Sequence, residues 1–272
     1  MKTQSPATTV LDRNNVRVSG NPDGRPMIFA HGFGCSQEMW REVAPSFADE
    51  FRVVLFDHVG SGGSDLSAYD RGKYDSLHGY ADDLLDLLDA LDLQDAVFIG
   101  HSVSAMIGVL ASTRNPTRFG ALVLVGPSPR YINTTDYEGG FDQSDIDSLL
   151  DALDANYMGW SETMAPAIMG NVERPELGGS LAESFCSTDP DIARHFARVT
   201  FLSDNRRDLR EVTTPTLVLQ CREDIIAPIS VGQFVHAEVP GSELVVLNAT
   251  GHCPNLSAPD ELRSEILSYL HG

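Results

Sequence analysis

At 272 residues, with 42% hydrophobic content and a formal net charge of −20, the chain is long enough to bury a substantial core, as one α/β domain or as two smaller ones. No Lys/Arg cluster offers the basic footprint that phosphate neutralisation needs, which excludes nucleic acid, and no apolar run reaches the length of a membrane span. Residues 1–14 are polar, without the basic start and apolar core of a signal peptide, and Cys35, Cys186, Cys221 and Cys253 have neither C-x-x-C nor Cys/His ligand spacing, so free thiols, no metal, no cofactor and a cytoplasmic location are expected.

In chain order, Val16-Arg17-Val18 and Pro26-Met27-Ile28-Phe29-Ala30 read as two early strands joined by the turn-rich Gly20-Asn21-Pro22-Asp23-Gly24. The second runs into His31-Gly32-Phe33-Gly34, a glycine bend that suits either an ordinary tight turn or close backbone approach to a ligand. A helix is predicted over 36–48 and a strand over 52–57. Gly60-Ser61-Gly62-Gly63-Ser64-Asp65 then lacks the lysine and the glycine spacing of a phosphate loop and reads as a structural turn. Leu84, Leu85, Leu87, Leu88 and Leu91 against a face of aspartates predict a helix over 80–93. A strand at 97–100 passes without loop residues into a helix reaching about Thr113, and 121–126 gives the next strand.

This alternation, with strands apolar on both faces, predicts a mostly parallel central sheet covered by helices. From 127 to 208 it stops. Ile146, Leu149, Leu150, Leu153 and Tyr157 lie at helical spacing, and further helices are predicted over 160–169, 176–187 and 190–202. Such an insertion reads as a cap over the strand ends, dividing the core into 1–126 and 209–272. Strands resume at 216–221 and 244–247, and a last helix covers 259–270.

Gly100-His101-Ser102-Val103-Ser104 occupies the junction of a strand and a helix. A serine on so sharp an elbow needs small neighbours two positions either side, here Gly100 and Ser104, and the helix aims N–H groups and its dipole at any oxyanion formed there. The same pattern arises by chance in a chain rich in serine and glycine, and Ser104 departs from G-x-S-x-G, so context decides. Serine needs an adjacent base, and a histidine oriented by a carboxylate suits. Singly, Asp224 reads as a solvated loop acid and His252 as a loop histidine. Jointly, Ser102, Asp224 and His252 each follow a predicted strand, on the side where parallel sheets bind ligands, in the chain order of α/β-hydrolases, and read as a catalytic triad. Asp57 falls at a strand end on the same side. The N–H groups of Phe33 and Val103 are the expected oxyanion donors. His31 and His101 are not read as bases, and His101 is expected to pack.

His31-Gly32-Phe33-Gly34, the run 100–108, Ser128-Pro129-Arg130-Tyr131 with the stretch 136–141, and Ser203-Asp204 resemble the RsbQ-like subfamily of α/β-hydrolases, from about Asn15 to the last helix. That subfamily holds a bacterial stress-response regulator and the plant karrikin and strigolactone receptors. The resemblance implies an α/β-hydrolase fold with a four-helix, V-shaped lid, and a pocket lined by Phe33, Phe141, Leu149, Trp160, Met164, Phe201 and Ile226. Met164 and Ile226 differ from residues associated with the plant receptors, which argues against carrying over a particular plant hormone. Two functions of different class remain. One is a hydrolase that opens a small apolar ester or lactone through an acyl-enzyme. The other is a slow-turnover sensor whose lid is read by a signalling protein partner. A cofactor-free haloperoxidase or carbon–carbon hydrolase on the same scaffold is a third.

Overall fold

In a computed structural model the described residues are 9–272, so most of the polar N-terminal stretch, with Lys2, lies outside them. The chain opens with α1 (Val10–Arg13), β1 (Arg17–Gly20), β2 (Pro26–Ala30) and β3 (Arg52–Leu55). It continues through α2 (Leu77–Ala90), β4 (Ala96–His101), α3 (Val103–Arg114) and β5 (Phe119–Val125). Four helices follow, α4 (Gln143–Ala155), α5 (Tyr157–Met169), α6 (Pro175–Cys186) and α7 (Pro190–Phe201). The chain then returns to the sheet with β6 (Thr216–Glu223), α8 (Ile229–Glu238), β7 (Glu243–Thr250), α9 (Pro254–Ser257) and α10 (Pro259–His271).

The seven strands form one sheet in the order β1-β3-β2-β4-β5-β6-β7, parallel except for β1, which pairs antiparallel with β3. All six residues of β4 are buried. A strand with no polar face must be covered by helices on both sides, as the apolar runs of the sequence require. Edge strand β7 alternates instead, with Leu247 and Ala249 inward and Val246 and Asn248 outward.

Residues 36–48 correct the sequence reading. They form two short 3-10 turns, Gln37–Trp40 and Ala44–Phe47, where an α-helix was expected. Met39, Trp40, Val43, Ala44 and Phe47 are buried at a spacing that imitates a helix face. Pro45, however, has no N–H to donate and disfavours the α conformation in the residue before it. The helix expected over 80–93 begins three residues earlier and ends at Ala90. Among the described residues no helix is long and apolar enough to cross a membrane. The four cysteines are free thiols.

Register sets the geography of the site. His101 aligns with Val125, Val125 with Leu219, and Glu223 with Thr250. The carboxyl ends of β4, β6 and β7 therefore lie on one edge of the sheet, which is where parallel sheets hold their ligands.

Candidate active site

Ser102 stands between β4 and α3 with φ 56° and ψ −121°. A non-glycine residue held there is strained, and the surrounding structure must over-determine it. It does so on three sides. The Ser102 N–H donates to Val125 O at 2.8 Å. A Cβ on Gly100 would meet the Ser104 carbonyl oxygen at 2.6 Å, and one on Gly32 would meet His101 Nδ1 at 2.7 Å, so helix, strand and bend close on the serine only because these positions are glycines.

The elbow brings its hydroxyl to a histidine. His252 Nε2 lies 2.7 Å from Ser102 Oγ, and His252 Nδ1 lies 2.7 Å from Asp224 Oδ2. With Nδ1–H donating to the carboxylate, Nε2 is left to accept the serine proton. Asp224 Oδ1 accepts from the N–H groups of Ile226, at 2.8 Å, and Ala227, at 3.1 Å. All three side chains are buried. Such a relay can take a proton from serine as it attacks a carbonyl and return it to a leaving group. Val103 opens α3, so its N–H has no acceptor within the helix, and Phe33 follows the Gly32 bend that rests on Ser102. Among the described residues no group of three or more His, Cys, Asp or Glu side chains is placed to hold a metal ion.

The histidine loop is tied into the helical segment. The His252 N–H donates to Ile168 O of α5 at 2.9 Å, and Asn171 Nδ2 donates to both Met169 O, at 2.6 Å, and Thr250 O, at 2.9 Å. His101 is more than a packing residue, since its Nε2 meets His252 O at 2.7 Å. Burial and the neighbouring His252 hold His101 down at about 3, so it stays neutral.

Behind the elbow lies a second polar network that the sequence did not announce. Ser104 Oγ donates to His31 O at 2.5 Å and takes a hydrogen bond from His58 Nε2 at 2.7 Å. His31 Nε2 in turn accepts from the His58 N–H at 3.1 Å. Burial lowers the pKa of both histidines. Asp57, although at a strand end, serves neighbouring loops, accepting from Asn15 Nδ2 at 2.7 Å, the Gln37 N–H at 2.7 Å and the Gly63 N–H at 2.9 Å.

A cavity with about 30 Å³ of free space adjoins Ser102, well below the roughly 300–1,000 Å³ of common ligand pockets. Of the expected lining, Phe33, Trp160, Phe201 and Ile226 border it. Phe141, Leu149 and Met164 do not: all three are half-buried against the hydrophobic core. Phe141 sits in the segment before α4, with its N–H on Tyr131 O at 3.2 Å. Tyr131, Ile168, Leu181, Phe185, Thr200, Cys35 and Cys253 complete the wall and were not anticipated, although Leu181 and Phe185 stand one turn apart on α6. The Phe33 ring packs among four others, with centroids 6.4 Å from Trp160, 6.0 Å from Phe185, 5.7 Å from Phe196 and 6.0 Å from Phe201. The residue after Gly32 is thus clasped by α5, α6 and α7.

Comparison with known proteins identifies the family and the fold. A model of the alpha/beta hydrolase family matches residues 27–265. Strigolactone esterase D14 of Arabidopsis thaliana is 39% identical over 254 residues, covering 93% of this chain and 94% of the relative. Karrikin insensitive 2 receptor CA of Petunia hybrida is 35% identical over 263 residues, covering 96% and 97%. The solved structure of a hydrolase from Oleispira antarctica superposes with a TM-score of 0.94 at 40% identity, covering 97% of this chain and 96% of that one.

Proposed function

The chain belongs to the alpha/beta hydrolase family, in its RsbQ-like group, and on that premise we propose that it cleaves an ester or lactone bond of a small apolar molecule, with Ser102 as nucleophile, His252 as general base and Asp224 as its orienting carboxylate. The observation that carries the reading is the unbroken Ser102–His252–Asp224 relay, with both links at 2.7 Å. Ser102 Oγ bonds to the substrate carbonyl carbon while its proton passes to His252 Nε2. The N–H groups of Phe33 and Val103 receive the oxyanion, a donor pair of which each member is commonly worth on the order of 100-fold to 1,000-fold in rate. His252 then protonates the leaving alcohol, and water deprotonated by His252 releases the acid. The apolar wall around Ser102 supports a substrate without charge. Helices α4 to α7, within 127–208, act as the lid.

A second reading has support of its own. The cavity is too small for most ligands without movement of the clasped aromatics, and relatives are named as receptors as well as esterases. In this reading the same relay turns a ligand over slowly, and the displaced lid is recognised by a signalling protein.

Hydrolysis of short-chain p-nitrophenyl esters and of a butenolide lactone, followed by burst kinetics on wild type and Ser102→Ala, tests both. Rapid multiple turnover that falls by on the order of 1,000-fold or more in Ser102→Ala is the expected result. A single burst with very slow release favours the sensor. Activity that survives the substitution removes Ser102 from the mechanism.

A further inference from the structure

Thr200 lies on α7, 1% exposed, on the wall of the cavity that holds Ser102. Its Oγ1 has no hydrogen-bond partner. A buried threonine in a helix ordinarily returns its proton to the carbonyl one turn earlier. The buried Ser161 does so, its Oγ donating to Tyr157 O at 2.8 Å, as do the exposed Ser148 and Thr163, while Ser184 finds Gly34 O at 3.1 Å instead. Thr200 leaves the equivalent carbonyl, that of Phe196, and shares the cavity wall with the apolar Phe33, Trp160, Leu181, Phe185 and Ile226 and with the polar groups of Ser102, His252 and Tyr131. No protein group therefore takes the hydrogen bond that this hydroxyl can donate. Ser102 and His252, by contrast, spend their polar atoms on each other and on Asp224.

We propose that Thr200 Oγ1 is a specificity contact that donates a hydrogen bond to an acceptor oxygen of the substrate outside the scissile group, so that the substrates are small apolar esters or lactones carrying one further ether or carbonyl oxygen. The proposal rests on the reading of Ser102 as nucleophile. In the orientation that Thr200 holds, an apolar ligand would give its hydroxyl no acceptor whereas an ether or carbonyl oxygen would, so the site favours the oxygen-bearing substrate over its alkyl analogue.

The test uses matched p-nitrophenyl esters in which one methylene becomes an ether oxygen: methoxyacetate against butanoate, methoxypropanoate against pentanoate, and methoxybutanoate against hexanoate. Methoxyalkyl and alkyl acetates repeat the comparison on the alcohol side. The kcat/KM ratio of ether to alkyl ester in wild type, divided by the same ratio in Thr200→Val, cancels the intrinsic reactivity of the ethers. That quotient is expected to reach about 10-fold for at least one pair, the effect of a single hydrogen bond to a buried donor. Thr200→Ser should keep the wild-type preference, which a merely space-filling role would not require. Thr200→Ala gives the same comparison if the valine variant fails to fold. A quotient near one for every pair in both series overturns the proposal. Dissociation constants of the same compounds on Ser102→Ala, followed by the fluorescence of Trp160 on the cavity wall, supply the quotient without hydrolysis. A protein that hydrolyses none of the esters but shows the binding preference refutes the nucleophile and upholds the role of Thr200.

Discussion

Asp224 gives one oxygen to His252 and the other to two backbone N–H groups of its own loop, so exchanging it for asparagine sets those demands against each other. If the amide oxygen keeps Ile226 and Ala227, the amide nitrogen faces Nδ1 and drives the proton to Nε2. His252 then cannot accept from Ser102. Asp224→Asn is expected to lower kcat by on the order of 10,000-fold, with KM and melting temperature close to wild type. Steady-state kinetics beside a thermal melt checks this, and activity within about tenfold of wild type would contradict the assigned role. The juxtaposition of Ser102, His252 and Asp224 was legible because all three follow strands in a known chain order, and topology carries strand ends to one edge. The hydroxyl of Ser104 was not, since its partners His31 and His58 lie 73 and 46 positions away and nothing local encodes them. The cavity wall was half legible for a related reason. The resemblance carries over which positions line a pocket, but not whether Leu149 or Met164 in this chain meets the cavity or the core.

Between elements, the joint that matters most for chemistry is the one between the end of α5 and the loop after β7. Gly251 has φ +86°, and a Cβ there would overlap the Met169 carbonyl oxygen that Asn171 also binds. Gly251→Ala must push the loop away from α5, weaken the bond from the His252 N–H to Ile168 O, and move His252 from Ser102. A displacement of about 1 Å in a catalytic group costs on the order of 100-fold, and that loss in kcat is the expected outcome. Active-site titration by burst amplitude on the folded fraction separates it from unfolding. Wild-type kcat in that fraction would mean that the loop holds its histidine without α5. The elements themselves were legible wherever a single period ran long enough, as in β4 and α4 to α7. They failed at 36–48, where core contacts follow a helical period but Pro45 breaks the backbone pattern into two turns. Sequence periodicity reports burial, and there burial and backbone conformation part company.

At the scale of the whole molecule, the net charge of −20 and the buried histidines pull pH dependence in different directions, and magnitudes decide between them. Between pH 7 and 5 the carboxylates stay ionised, so their mutual repulsion changes little. His31, His58 and His101 do not stay silent. Burial is the first cause that lowers all three. Around His101 the His252 and His31 rings oppose a positive charge, while the His252 carbonyl and Asp224 favour one. His101 falls from 6.5 to about 3 on folding, so between those values the unfolded chain binds the extra proton. A state that binds more protons gains as pH falls, and here it is the unfolded one. Stability is therefore intact above about pH 6.5 and is lost on acidification below it, by about 2 kcal/mol at pH 5 from His101 alone. Urea midpoints at pH 7, 6 and 5 are expected to descend. His101→Gln, which retains a donor for the His252 carbonyl, should flatten that descent by its share. Salt supplies the control, because surface repulsion among carboxylates is screened while protonation of a buried imidazole is screened far less. If the pH slope persists in 1 M sodium chloride, the buried histidines cause it. Urea midpoints that instead rise on acidification at low salt and lose that rise in 1 M sodium chloride would assign the pH dependence to the acidic surface.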